Sequence, residues 1–496
     1  MKRHACSSLA CASVAYLFFP VGIFFLGYLR IWLSLPVLAF SVWSLVRTAG
    51  YYQAVPERAF PRAGRRQWIA VIAMVLAWVF LAGIGGYSYQ NSDYLKHSAM
   101  LLDLATLPWP VTYLRPDTGT PLRLVFYCAY YLPAAVAWKL FGREAACFAA
   151  YLWAAAGVLL ALLWFFRFIG RFSFVWALFF VFFSGMDFIG LIINRTPDNA
   201  GAMLSATAHI EWWAGIGFWN YPSNTSQLFW APHQAVAGWI LASLVYHCMF
   251  IQHDRKCPLV FVGSLAPFWS PFVSIGLAPL CILIACFKGI KKMLSWENLC
   301  GMMIVLIMAL FFSANLASYN NGPLWMFHEL SGIWPRYLSF VMLEFGFYAL
   351  LAYPYVHNAD RRERLAFGVL TGTLALVPFY VMGLYNDFAM RVSIPALYLL
   401  QVYIAGFFMH YRGWFFKSVM AALLVIGALA PVRELARALV LRNPVSQSAH
   451  VVELAHTAVA VQYLGDPESI FFKYLARRGH AGALIPQGVL DELRRH

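Results

Sequence analysis

Charge is what this sequence has least of. Only 11% of its 496 residues are Asp, Glu, Lys or Arg, against about 25% in ordinary soluble domains. With 62% hydrophobic residues, so little charge cannot wrap one soluble core in a polar shell. Acid is scarcer than base, 21 Asp and Glu against 36 Lys and Arg, for a net charge of +15. The nine cysteines, at 6, 11, 128, 147, 248, 257, 281, 286 and 300, form no C-x-x-C pair and fall mostly in apolar stretches, which excludes a cysteine framework or metal motif on spacing. There is no G-x-x-x-x-G-K-[ST], no H-E-x-x-H, no G-x-S-x-G, and no basic-aromatic stripe of nucleic-acid type. Internal repeats, low-complexity tracts and heptad runs are missing too.

What the chain does have is long apolar runs, such as Trp68 to Leu81 and Leu299 to Phe312, of the length that crosses about 30 Å of hydrocarbon. The expected fold class is all-α, a polytopic transmembrane helical bundle of about 11–13 spans. Candidate spans cover 9–28, 31–46, 68–86, 147–166, 172–193, 234–251, 299–316, 337–356, 365–384, 390–410 and 418–439. Met1-Lys2-Arg3-His4 before the first run resembles a signal sequence, but a second run follows at once, so the first helix reads as uncleaved.

Basic loops stay cytoplasmic. Those at Arg58–Arg66, Arg167–Arg171, Arg255–Lys256, Lys288–Lys292 and Arg361–Arg364 share one side if 124–141 lies at the outer interface or re-enters, and if 258–287 is a short hairpin turning at Trp269-Ser270-Pro271. The outer side then receives 87–123, 194–233, 317–336, 385–389 and a tail from about 441. Asp93, Asp103, Asp117, Asp187, Asp198, Glu211, Glu329 and Asp387 gather there. Division by composition gives 1–67 with two N-terminal helices and a cytoplasmic loop, 68–440 as the main membrane module, and 441–496 as a small outer tail, read as a helical appendage.

In the first outer loop Asp93, Lys96 and His97 have i, i+3, i+4 spacing and share a helix face. Such a carboxylate can accept a proton while cationic neighbours hold a phosphate; it can equally be a helix cap with a local ion pair. Asp387 and Arg391, ahead of Pro395, suit phosphate binding at a helix mouth, or a plain i, i+4 pair. The loop 194–233 carries His209, Glu211, Trp212, Trp213, Trp219, Tyr221, Trp230 and His233. These can stack on and hydrogen-bond a sugar, or form an aromatic belt at the headgroups. Arg336 is a second candidate for phosphate, or a snorkelling anchor. Asn194-Arg195-Thr196 and Asn224-Thr225-Ser226 fit the N-glycan acceptor pattern.

The order of segments over residues 68–200 resembles the GT-C glycosyltransferases: an acidic residue just past a span, a helix, the turn Pro108-Trp109-Pro110, then a Tyr-rich segment ending Trp138-Lys139-Leu140-Phe141-Gly142. The resemblance implies a bacterial inner-membrane enzyme with interfacial helices in its first long outer loop. It would move a sugar from a polyprenyl-phosphate donor to a hydroxyl of a glycan, glycolipid or wall polymer on the extracytoplasmic face. Asp93 then maps onto the catalytic base, Arg391, Lys96 and Arg336 onto the donor phosphate, and His97, His209, Glu211, Trp230, His233 and Asp387 onto sugar or acceptor. Many relatives carry two close acids where this chain has Asn91-Ser92-Asp93, so a divalent metal is left open and no other cofactor is implied. The expected partners are the lipid-linked sugar, its acceptor and membrane lipids, not nucleic acid. The competing expectation is a transporter or flippase of lipid-linked sugars, favoured if Asp187 proves to lie inside the membrane; a third is a non-catalytic scaffold.

Overall fold

The computed structural model describes residues 4–53, 61–193, 209–211, 219–251, 256–317, 321–326, 332–383, 386–441, 449–454, 460–479, 482–487 and 489. It is a helical bundle. Among the described residues seven helices are long and apolar enough to cross a bilayer: Leu9–Tyr28, Ile31–Tyr52, Arg143–Ile169, Phe174–Ile193, Pro271–Lys288, Ile333–His357 and Trp414–Val440. The helices Arg65–Leu81, Pro232–Cys248, Trp296–Phe312 and Ile394–His410 have 17 residues each, which at 1.5 Å per residue stops about one turn short of the hydrocarbon thickness. Of the 11–13 crossings expected, seven are long enough among the described residues to reach across by their own length.

The helix Pro232–Cys248 forms the axis of the bundle, with all 17 of its residues buried. It packs on Arg143–Ile169, Pro271–Lys288 and Ile394–His410. A helix that is apolar all round belongs in this central place. Gly157 and Gly238 allow two of these approaches: a Cβ on Gly157 would lie 2.3 Å from Val236, and one on Gly238 2.6 Å from Ile394. The first helix, His4–Tyr28, is inserted into the core, where Phe24 packs on Phe268 and Phe311.

Segment 124–141 ends in a helix of only 10 residues, Leu132–Phe141, half the length a crossing needs. The break expected near Trp269-Ser270-Pro271 is present, with the Ser270 hydroxyl capping the next helix by accepting the Val273 N–H at 3.3 Å. The arm beyond it, Pro271–Lys288, is long enough to span, so 258–287 is not a short hairpin.

The bundle is all-α in its main body, as expected, and two small sheets accompany the helices. Strands β1 (Thr112–Leu114), β2 (Pro121–Leu124), β5 (Leu464–Gly465) and β6 (Ala483–Leu484) form one sheet in the order β5-β2-β1-β6; β3 (Asn321–Pro323) and β4 (Tyr380–Met382) pair in another. The tail is thus no helical appendage: β6 runs parallel to β1 and β5 antiparallel to β2. These strands are too short to signal themselves by alternation, and the tail strands β5 and β6 meet partners more than 300 residues away.

Asp103, on the helix Tyr94–Thr106, pins the tail to the segment that follows the helix Arg65–Leu81. It is fully buried and accepts hydrogen bonds from Tyr113 Oη at 2.5 Å, His450 Nδ1 at 2.5 Å and the Val451 N–H at 3.0 Å. Asp103→Ala leaves these donors without an acceptor and is expected to cost about 3–5 kcal/mol. Thermal unfolding should show the loss, and limited proteolysis should cut within 449–479 first; a variant as stable and as resistant as the parent would refute this role.

Asn224 is buried and its side chain donates to the Phe180 carbonyl at 2.8 Å and to Gln401 at 3.0 Å, so it is no glycan acceptor in this fold. Asn194 of the other such pattern, with Asp198, Trp212, Trp213 and Glu329, lies outside the described residues.

Candidate active site

Asp93 occupies the N-cap position of the helix Tyr94–Thr106, but its carboxylate makes no capping bond. It turns instead to Lys96 Nζ, 2.8 Å from Oδ2, and keeps 30% of its side chain exposed. Asn91 sets this geometry. Its Oδ1 accepts the Asp93 N–H at 3.0 Å, and its Nδ2 donates to the Phe229 carbonyl at 2.8 Å, tying the loop after Arg65–Leu81 to the segment just before His233. Burial by itself raises the Asp93 carboxyl; Lys96, His97 and Arg391 outweigh it and hold the group below its ordinary value. Asp93 is therefore ionised at neutral pH, the state a base requires.

Arg391 reaches the same place from 264 residues beyond Tyr127 in the chain. Its Nη2 lies 2.7 Å from Asp387 Oδ1, its Nη1 donates to Tyr127 Oη at 3.1 Å, and the guanidinium stands 5.6 Å from the Phe272 ring centre. The i, i+4 pair thus exists, and Asp387 serves to orient Arg391; that contact does not assign it to sugar. Asn386, at φ 49°, accepts the Ala389 N–H and starts this short helix. Left-handed backbone suits Asn among non-glycine residues, and it turns Asp387 and Arg391 toward one face.

His97 was expected to meet sugar, but both of its ring nitrogens are taken. Nε2 lies 3.0 Å from the Trp230 carbonyl, so it carries the proton, and Nδ1 accepts from Tyr131 Oη at 2.5 Å. Burial first, then Lys96, push His97 down to about 4. It is a neutral strut joining the helix Tyr94–Thr106 to the Trp230 segment.

His233 sits within a nest of rings, with centroids 5.3 Å from His97, 5.5 Å from Tyr127 and 6.0 Å from Tyr131. Three buried polar atoms here have no hydrogen-bond partner among the described residues: His233 Nδ1, Gln234 Oε1 and Tyr130 Oη. Orphans of this kind are rare in native interiors and mark a place for water or a ligand hydroxyl. A cavity of about 500 Å³ borders this group, bounded by His97, Tyr130, Tyr131 and Pro232 together with apolar Leu101, Leu102, Ala134 and Trp138.

His209, Glu211 and Trp230 form a second group. Glu434 is its centre: His209 Nδ1 lies at 2.6 Å, Arg437 Nη1 at 2.8 Å and Trp230 Nε1 at 3.2 Å. Burial would lower His209, yet Glu434 prevails and raises it. Glu211 is fully buried, with both carboxyl oxygens lacking a hydrogen bond of normal geometry among the described residues. The nearby Ser223 hydroxyl accepts the Ser226 N–H and helps the ionised form only slightly. Burial, and then the neighbouring Asp187, push Glu211 up to about 8. Since the folded value lies above the ordinary 4.5, stability falls as pH rises from about 4.5 and levels off above about 8. Glu211→Gln removes this penalty. It is expected to stabilise the protein by about 2–4 kcal/mol above pH 8 and much less near pH 5, and melting temperatures at the two pH values check it; an equal shift at both would contradict it.

The two groups touch through Trp230, whose carbonyl holds His97 and whose indole holds Glu434. The strongest cationic influences on Asp93 are Lys96, His97 and Arg391, and Arg336 is not among them. It stands exposed on the helix Ile333–Val341, whose neighbours Trp334 and Tyr337 pack on Phe379. No group of three His, Cys, Asp or Glu suited to a metal ion occurs among the described residues. Sequence reasoning missed Tyr127 and Tyr131 as hydrogen-bonding members, placing them at an interface by composition. It also missed Glu434 and Arg437, whose i, i+3 charges at the end of an apolar run were the available signal.

No family model, curated protein or solved structure matches this chain.

Proposed function

We propose that this chain is a membrane glycosyltransferase of the GT-C kind, moving a sugar from a polyprenyl-phosphate donor to an acceptor hydroxyl at the extracytoplasmic face. The observation that carries this reading is the meeting of an ionised, partly exposed Asp93 with Lys96 and Arg391. Asp93 takes the proton of the acceptor hydroxyl as that oxygen bonds to the anomeric carbon. The bond from that carbon to the phosphate oxygen breaks, and Lys96 and Arg391 stabilise the charge left on the phosphate. Tyr127 and Asp387 aim the Arg391 fork. The orphan polar atoms around His233 suit hydroxyls, and the bordering apolar walls suit a lipid chain.

A transfer assay tests this: detergent-solubilised protein, labelled polyprenyl-phosphate sugars and a membrane extract as acceptor, with product measured for the parent and Asp93→Asn. Equal transfer by both would remove Asp93 from the mechanism.

A second reading, lipid-linked sugar flipping without covalent chemistry, draws on Asp187 and Glu344, both buried within apolar helices. Glu344 lies in the π-helical turn Met342–Gly346, a geometry frequent at functional sites. It crowds Gly185, where a Cβ would fall 2.0 Å from its Oε2. Buried carboxylates in membrane helices mark transport pathways. Vesicles carrying the pure protein decide between the two: movement of labelled lipid-linked sugar between leaflets without transfer favours flipping.

A further inference from the structure

A second cavity, separate from the Asp93 group, lies at the other end of the bundle. Three helices connect the two places. Pro232–Cys248 carries His233 in its first turn and His247 in its last; Arg143–Ile169 carries Glu144 near the 500 Å³ cavity and Arg167 in its final turn; Ile394–His410 starts just past Arg391 and ends at His410. The 14 residues from His233 to His247 correspond to about 21 Å of helix. The far cavity has a volume of about 630 Å³ and is bordered by Arg167, His247, His410, Arg412, Asp360 and Glu363 among aromatic walls.

We propose that this cavity is a second binding site, for a phosphate-bearing molecule. Its buried end is basic: Arg167 and His247 are 6% and 4% exposed, and they lie close enough to interact electrostatically. His247 is held by stacking on Tyr52 at 5.6 Å and packing on Trp164 at 5.2 Å, while its Nε2 has no hydrogen-bond partner among the described residues. Keeping a buried imidazole without a partner is unfavourable unless something fills the role. The carboxylates border the cavity from less buried positions, Asp360 exposed and Glu363 half-buried. Asp360 is already engaged, its Oδ1 accepting the Glu363 N–H at 2.8 Å as the cap of the helix Arg361–Leu376. Arg412 is exposed at the rim and Arg361 follows Asp360. An anion entering here meets cations at the rim and at the buried end, and a planar guanidinium matches phosphate geometry.

The phosphate can belong to a lipid headgroup or to a free ion, and one experiment separates them. Thermal unfolding of the detergent-purified full chain is followed against rising inorganic phosphate, phosphatidylglycerol in mixed micelles, or diacylglycerol, which has the chains without the phosphate. Saturable stabilisation by several degrees is expected with phosphatidylglycerol or inorganic phosphate and not with diacylglycerol. Stabilisation by phosphatidylglycerol alone identifies a lipid headgroup; stabilisation by inorganic phosphate identifies the free ion as sufficient. Arg167→Gln and Arg412→Gln should each move the midpoint at least tenfold to higher concentration. If Arg167→Gln fails to fold, the exposed Arg412→Gln decides by itself. No stabilisation by either phosphate source, equal stabilisation by diacylglycerol, or unmoved midpoints in the folded variants would overturn the proposal.

Discussion

Replacing Asp93 by asparagine is expected to lower sugar transfer by about 10²–10⁴-fold, the contribution of a positioned general base, with little change in melting temperature. The substitution is nearly isosteric. It removes the charge that Lys96 Nζ meets at 2.8 Å, and that pair is partly exposed and so contributes little to stability. The pH profile carries the same signature. Lys96, His97 and Arg391 overcome burial and hold the Asp93 carboxyl below its ordinary value, so activity should persist into mildly acidic solution and fall only when the carboxylate is protonated. His97, pushed down to about 4, stays neutral over that range and adds no second fall near pH 6.5. Initial rates from pH 4 to 8 check both points. A profile that halves near pH 6 to 7 would identify a histidine as the base instead of Asp93.

The second large effect belongs to Arg391. Arg391→Lys keeps the charge but loses the fork that spans Asp387 and Tyr127. The loss of one charge-assisted hydrogen bond corresponds to about 1.5–3 kcal/mol, so donor KM should rise about 10- to 100-fold. Arg391→Gln removes the charge as well and should lower kcat in addition, because charge on the departing phosphate is then unopposed. Measured against donor concentration at saturating acceptor, an unchanged donor KM in both variants would free Arg391 from the phosphate. Melting temperatures guard against a trivial cause, since Asp387 keeps 39% of its side chain exposed and tolerates the loss of its partner.

Much of the fold was legible because apolar runs are a one-dimensional signal. The helix Arg143–Ile169 follows from the apolar run expected over 147–166, and Leu132–Phe141 stays short because Pro133 at its start and Gly142 at its end bound it. The sheet joining β1 and β2 to the tail was not legible. Strands of two to four residues carry no period, and their register is fixed by Asp103 gripping His450 and Val451, a contact across some 350 residues.

The site divides in the same way. Asp93 with Lys96, and Asp387 with Arg391, lie within one helical turn of each other, and their spacing alone announced both pairs. That the two pairs share one place, that Tyr127 links Arg391 to Gln234, and that His97 is consumed as a strut depended on where the helices pack. Arg336 looked equivalent to Arg391 in sequence, since each is an arginine at the mouth of an apolar run, yet the bundle leaves it exposed. Local spacing and hydrophobicity, set by covalent connectivity and by the cost of placing charge in hydrocarbon, determined the membrane-type helices and the candidate pairs. Tertiary packing decided which pairs meet, which histidines are free and where the cavities lie, because close-packed helices bring distant residues together only through side chains whose fit no single segment encodes.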